Sequence, residues 1–233
     1  MSVLNNTIAE PLIFLLMGIP GLKATQYWIS IPFCLLYVVA VSGNSMILFV
    51  VLCERSLHKP MYYFLSMLSA TGLSLSLCTL STTLGVFWFE AREINLNACI
   101  AQMFFLHGFT FMESGVLLAM AFDRFVAICY PLRYTILTSS AVRKIGIAAV
   151  VRSFFICCPF IFLVYRLTYC GRNIIPHSYC EHIARLACGN INVNIIYGLT
   201  VALHSTGLDI VLIIISYTMI LHAVFQMSSW AAR

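Results

Sequence analysis

Five long apolar stretches constrain this chain more than any other feature of its sequence. Each is long enough for a helix that crosses the hydrocarbon core of a bilayer, which takes about 20 apolar residues. Hydrophobic residues make up 61% of the chain and charged residues only 9%, whereas soluble domains carry about 25% charged residues. We therefore predict an all-α membrane protein with five transmembrane helices. The predicted spans are 29–52, 61–84, 99–129, 143–164 and 195–225.

These spans divide the chain into three parts. We predict an N-terminal tail at 1–28, a helical membrane domain at 29–225 and a short C-terminal segment at 226–233. The tail lacks a basic start followed by an apolar core and a cleavage site, so we predict no secretory signal peptide. The first span then serves as the uncleaved targeting signal.

The charges between the spans predict how the chain is oriented in the membrane. The linkers after the first and third spans carry Arg55, Lys59 and Arg133, whereas the linker after the second span carries Arg92 beside two glutamates. Short loops rich in Lys and Arg stay on the cytoplasmic side. We therefore expect a multi-pass protein with its N-terminus outside and its C-terminus inside.

Two features of the predicted outer side agree with this orientation. Asn5 begins an Asn-Asn-Thr glycosylation sequon, a modification of lumenal segments. Four cysteines also fall on this side, where disulfides persist, and four cysteines allow three pairings. They are Cys99, Cys170, Cys180 and Cys188.

Polar residues inside the spans are candidates for function, because they are costly in lipid and face the interior of a helix bundle. On the third span His107, Thr110, Phe111 and Ser114 follow a helical spacing and share one face. This face predicts the wall of a ligand pocket, and a hydrogen bond that serves packing alone is the alternative. Glu113 lies near mid-membrane, where a carboxylate is either functional or protonated.

Several motifs identify the family that the chain resembles. The segment MAFDRFVAICYPLRY at 120–134 resembles a signature of vertebrate odorant receptors, with Phe122 and Phe125 in place of tyrosines. Gly43-Asn44 and the outer-loop string HSYCEH fit the same family. The strings GIPGL and WISIPFC resemble its class I, fish-like branch. Two further matching strings are SLHKPMYYFLSMLS at 56–69 and QMFFLHGFTFMES at 102–114.

The resemblance implies a rhodopsin-like G-protein-coupled receptor with seven helices, of which this sequence holds the first five. Helices six and seven have no counterpart in it. The implied function is detection of small odorants and signalling through a stimulatory heterotrimeric G protein at the plasma membrane. We expect a chain without the last two helices to give no odorant response and to be retained in the endoplasmic reticulum. The alternatives are a non-signalling chain that misfolds or associates with full-length receptors and, less favoured, a channel or transporter subunit.

The resemblance also implies roles for individual residues. It places ligand contacts on the face of His107 and on the fifth helix, G-protein contacts at the inner end of the third helix, and disulfides Cys99–Cys180 and Cys170–Cys188. Glu113 resembles part of a sodium site, but Gly72 stands where the partner aspartate is expected. The implied ligand contacts are His107, Thr110, Phe111, Ser114, His182, Val201, Ala202 and Ser205, and the implied G-protein contacts are Asp123, Arg124 and Tyr217.

Other classes of function find little support in the sequence. The cluster His177, Cys180, Glu181 and His182 suggests a metal site, but a disulfide-bonded cysteine supplies no thiolate, so we predict none. No HExxH motif or glycine-rich phosphate loop occurs, and we predict neither an enzyme nor a cofactor. The basic residues are scattered and lie mostly at helix ends, where they help set orientation rather than form a patch for nucleic acid; the apolar composition predicts membrane lipid as the surroundings.

Overall fold

The computed structural model describes residues 13–18, 26–131, 138–169, 173–181 and 183–231. Long helices dominate this part of the chain, and each predicted span lies within one of them. The helices are α1 Gln26–Cys53, α2 Pro60–Trp88, α3 Leu96–Cys129, α4 Ser139–Tyr165, α5 Asn192–Val201 and α6 Leu208–Ala231. A π-helical segment, Ala202–Gly207, joins α5 to α6 without a break, and we call 192–231 the last helix.

Local sequence explains where the helices begin. Pro60 stands at the first position of α2, where its missing N–H costs nothing. Asn95 accepts a hydrogen bond from the Asn97 backbone N–H at the start of α3. Thr138 does the same for Ala141 before α4. The helices therefore begin at capping residues, a few residues earlier than the apolar stretches predicted.

Helix α3 lies at the centre of the bundle and packs against α2, α4 and α6, while α1 packs against α2. Among the described residues, four helices are long and apolar enough to cross a membrane: Tyr27–Cys53, Pro60–Trp88, Ser140–Tyr165 and Asn192–Gln226. Helix α3, the third predicted span, is not among them. It carries Glu113, Asp123 and Arg124. Because its neighbours cover it, α3 needs less apolar surface than a helix that faces lipid.

A small three-stranded sheet covers one end of the bundle, which the all-α prediction did not include. Its strands are β1 Ile13–Leu16, β2 Glu93–Asn95 and β3 Ile174–Ile175. The order is β2-β1-β3, with β1 antiparallel to β2 and parallel to β3. Part of the predicted N-terminal tail is therefore the central strand of this sheet, and its alternate side chains Phe14 and Leu16 are buried.

The main hydrophobic core lies beneath this sheet. Phe14 packs edge-on against Tyr169, with ring centroids 5.5 Å apart. The same cluster contains Met103 of α3 and the disulfide between Cys99 and Cys180. We call this end of the bundle the disulfide end. A second, smaller core of Phe64, Val116, Ala119 and Val142 joins α2, α3 and α4 toward the opposite end.

Candidate functional site

A cavity of about 400 Å³ lies between α3, α4 and the last helix, close to the disulfide end. Three side chains from α3 and three from α4 form one side of it, and the last helix and the segment before it form the other. The α3 and α4 residues are Met103, His107, Phe111, Ile156, Cys157 and Phe160. The remaining lining residues include Arg185, Asn194, Gly198, Val201 and Ala202.

His107 and Phe111 reach the cavity together because they are four residues apart on α3 and share a face. The His107 ring stacks on Phe160 of α4, with centroids 5.1 Å apart and planes 18° from parallel. This contact fixes the orientation of the imidazole at the cavity wall. The structure thus places His107 both in a packing contact and on the cavity, so the two interpretations of this residue are compatible.

Asn194 is the buried polar side chain that the last helix contributes to the cavity. Only 7% of its surface is exposed, and its amide nitrogen has no hydrogen-bond partner among the described residues. A buried polar group without a partner is costly. A bound molecule with an acceptor oxygen would remove that cost. Sequence analysis did not single out Asn194, and nothing in its local pattern marks it as buried.

Three of the other predicted ligand contacts lie away from the cavity. Thr110 is exposed and donates a hydrogen bond to the Leu106 carbonyl of its own helix. Ser114 and Ser205 are hydrogen-bonded to charged side chains beyond the cavity. His182 lies outside the described residues. Of the eight predicted contacts, the structure places His107, Phe111, Val201 and Ala202 on the cavity.

A polar cluster links α3, α4 and the last helix just beyond the cavity. Arg152 of α4 lies 2.8 Å from Asp209 Oδ2, and the same oxygen accepts a hydrogen bond from Ser114 of α3 at 2.6 Å. Arg152 also donates to the hydroxyl and the carbonyl oxygen of Ser205, at 2.9 and 3.1 Å. We call Ser114, Arg152, Ser205 and Asp209 the polar cluster. Sequence analysis did not single out Arg152, although a charge inside a predicted span is itself a signal of function.

The disulfide end is held together by a bridge and one glutamine. Cys99 at the start of α3 is bonded to Cys180, with Cα atoms 5.3 Å apart, as the family resemblance implied. Gln102 accepts a hydrogen bond from the Cys180 backbone N–H at 2.9 Å and donates to the Cys78 carbonyl of α2 at 2.8 Å. Cys188 is also disulfide-bonded, whereas Cys170 lies outside the described residues.

The loop at this end carries a weakly acidic tyrosine. Burial raises the pKa of the Tyr179 phenol, and the nearby Glu181 carboxylate raises it further. Tyr179 is therefore neutral at physiological pH.

No group of three or more His, Cys, Asp and Glu side chains in the described part of the chain is placed to hold a metal ion. His177 and Glu181 line a separate small cavity with Arg185.

At the opposite end, Asp123 and Arg124 lie close to the end of α3. Asp123 is fully buried, and its Oδ2 lies 3.6 Å from the Arg124 guanidinium, which is partly exposed. Beside them an open cleft of about 750 Å³ separates the end of α3 from α6. Tyr217 is half exposed on α6. The cleft is lined by Phe125, Ile128, Cys129, Tyr130, Thr218, Met219, His222, Ala223 and Gln226.

Glu113 is half-buried between α2 and α3. Its Oε1 lies 3.5 Å from the hydroxyl of Thr71, the nearest polar contact that the structure gives it. At Gly72, where the partner aspartate was expected, a Cβ would lie 3.2 Å from the Asn44 amide nitrogen. The described residues therefore supply Glu113 with a hydroxyl rather than with a second carboxylate.

Comparison with known proteins identifies the family. A family model described as olfactory receptor matches residues 33–233. Human olfactory receptor 51F2 is 72% identical over the whole chain, which covers 69% of that relative. Human olfactory receptors 52Z1P and 51F1 are 73% and 53% identical over 93% and 98% of the chain, which covers 73% of each.

Relatives numbered 51 and 52 fit the class I resemblance of the sequence. They are receptors and not enzymes, and the apolar helices agree with a multi-pass membrane protein. The chain belongs to the olfactory receptor family of G-protein-coupled receptors.

Proposed function

We propose that the cavity between α3, α4 and the last helix binds small odorants. The observation that carries this proposal is the cavity itself. Its volume of about 400 Å³ falls within the range of about 300–1,000 Å³ typical of small-molecule sites. Its lining is mainly apolar, from Met103, Phe111, Ile156 and Phe160, with few polar groups to orient a ligand.

Those polar groups favour ligands that carry an acceptor oxygen. The Asn194 amide nitrogen is buried beside the cavity and has no partner among the described residues. Arg185 is exposed and lines both this cavity and the smaller one beside it. A donor and a cation at the same end suit a carboxylate, with the apolar tail toward Phe111. We therefore propose small aliphatic acids as the ligand class.

We propose that the opposite end contacts a heterotrimeric G protein at the plasma membrane. Arg124 is partly exposed beside Asp123, and the cleft between α3 and α6 opens next to this pair. Tyr217 lies on α6. The loop charges support an orientation in which this end is cytoplasmic and the disulfide end is outside. Asn5 would then carry a glycan, and Cys170 would pair with Cys188.

Equilibrium binding of radiolabelled heptanoic acid to the chain in lipid nanodiscs tests the ligand proposal. Gly198 lines the cavity, and a Cβ there would meet nothing within 4 Å. Gly198→Leu should therefore fill the cavity without a clash. We expect saturable binding to the unchanged chain. The affinity should fall about tenfold or more in this variant, because the leucine side chain occupies the volume that the ligand needs.

Gly43→Leu is the matched control, because Gly43 is a glycine of α1 with equally open surroundings. It should bind heptanoic acid like the unchanged chain. Heptylamine, which replaces the acceptor by a cation, should not compete. Binding that does not saturate, or that is equally strong in Gly198→Leu, would overturn the proposal.

A further inference from the structure

We propose that Arg152 is a positioning residue: it holds the π-helical segment of the last helix and so decides which residues of that helix face the cavity. The segment Ala202–Gly207 is six residues long, and Ser205 is its buried residue. π-helical turns are rare and are concentrated at functional sites. Arg152 donates to the Ser205 carbonyl and hydroxyl oxygens, which lie within this segment.

The polar cluster is built to keep Arg152 in place. Asp209 is buried and neutralises the guanidinium at 2.8 Å. Ser114 of α3 donates to the same carboxylate oxygen. Gly115 of α3 lies against the arginine, because a Cβ there would be in ordinary van der Waals contact with its Nη1, at 3.6 Å. Arg152 of α4 thus donates hydrogen bonds to the π-helical segment. Asp209, which accepts a hydrogen bond from Ser114 of α3, holds the arginine in place.

The cluster also lies at a fixed place relative to the cavity. Three of its four members are about one helical turn from a lining residue of the same helix: Ser114 from Phe111, Arg152 from Ile156, and Ser205 from Val201. At 1.5 Å per residue these separations are about 4.5–6 Å. The cluster therefore lies about one helical turn beyond the cavity lining on all three helices.

The π-helical segment determines the rotation of the outer part of the last helix. A π-helical turn holds one residue more than an α-helical turn, and one residue corresponds to about 100° of rotation. If the segment became α-helical, residues 192–201 would turn by that angle relative to α6. In either direction Ile196, which now lies between the lining residues Ile195 and Tyr197 and is 64% exposed, would turn toward the cavity.

Cysteine accessibility tests this inference without a ligand. We would place Ile196→Cys in the chain in nanodiscs, add a water-soluble maleimide, and map the labelled peptide by mass spectrometry. In the unchanged background this thiol faces lipid and should react slowly. The double variant Arg152→Met with Asp209→Leu leaves no unpaired charge. It should raise the labelling rate at residue 196 about tenfold, because a thiol in water ionises and reacts.

Three controls separate positioning from general loosening. Ile215→Cys reports on the lipid face of α6 beyond the segment and should stay slow. Arg143→Met removes an exposed arginine near the start of α4 and should leave residue 196 slow. Arg152→Lys, which keeps a charged donor, should restore slow labelling. Ser205→Ala keeps both charges and should give a smaller rise in the labelling rate at residue 196. This variant tests the inference even if the double variant does not fold.

The inference would be overturned if the labelling rate at residue 196 were unchanged in the folded double variant and in Ser205→Ala. Equal rises in the labelling rate at residues 196 and 215 would also overturn it. The relevance of this rotation to ligand choice rests on the proposed function. The outcomes are distinguishable: labelling that responds to Arg152 in a chain that binds no alkanoic acid would leave the positioning role intact and remove the ligand.

Discussion

Gln102 joins three parts of the molecule through one side chain. Its amide oxygen accepts from the Cys180 backbone N–H, and its amide nitrogen donates to the Cys78 carbonyl and the Thr82 hydroxyl. Gln102 and Cys180 are both buried, and the Gln102 oxygen is the partner that the structure gives the Cys180 N–H. The disulfide at Cys180 and the hydrogen bond beside it therefore hold the same loop in two independent ways.

We predict that Gln102→Leu lowers the free energy of unfolding by about 1–3 kcal/mol, because a buried N–H and a carbonyl lose their partner. Thermal unfolding in detergent, followed by tryptophan fluorescence, measures this. Gln226→Leu changes an exposed glutamine of α6 and should have little effect. Equal stability of Gln102→Leu and the unchanged chain would show that the Gln102 hydrogen bonds contribute nothing.

The spacing of residues along one helix predicted part of the candidate site but could not predict contacts between different helices. His107 and Phe111 were found because a helical repeat brings residues four apart onto one face. The same repeat included Thr110 and Ser114, which the structure turns to other partners. Arg152 and Asp209 lie on different helices, and their pairing depends on how α4 and the last helix are aligned, which no local pattern contains.

At the scale of elements, β1 is the piece of structure that apolar stretches could not predict. It is four residues long and gains its partners from two loops, β2 before α3 and β3 before the last helix. A strand this short is stable only when its buried face packs against a core. The π-helical segment is similar, since its partner is an arginine on another helix.

Phe14→Ala should lower the free energy of unfolding by about 3–5 kcal/mol, as for other fully buried aromatic residues. Phe14 is 0% exposed and packs on Tyr169. Its neighbour Ile13 belongs to the same strand but is 50% exposed. Ile13→Ala should therefore stay within about 0.5 kcal/mol of the unchanged chain. The same thermal unfolding measures both, and similar losses in the two variants would mean that β1 has no buried face.

At the scale of the whole molecule, the apolar stretches and their linkers predicted the order of the helices. Each stretch lies within a helix, because a backbone in lipid must satisfy its own hydrogen bonds. Composition alone did not reveal that α3 is central, surrounded by α2, α4 and α6. Its acidic residues can be tolerated because the neighbouring helices cover Asp123 fully and Glu113 in part.

The loop charges predict that the disulfide end is outside the cell and that the C-terminal end is inside. In cells, glycosidase treatment should therefore shift the chain, and Asn5→Gln should abolish the shift. An epitope added after Arg233 should be stained only after permeabilisation. Staining of that epitope on intact cells would reverse the orientation proposed here.

The central claim is that the cavity between α3, α4 and the last helix binds an odorant, and Cys157 tests it most directly. This free thiol lines the cavity and is 1% exposed, while the free Cys53 is exposed at the end of α1. The measurement is the rate at which iodoacetamide alkylates each cysteine, mapped by mass spectrometry, with and without heptanoic acid. We predict that heptanoic acid slows alkylation of Cys157 in a saturable way and leaves Cys53 unchanged. Equal rates at Cys157 with and without saturating heptanoic acid would contradict the claim.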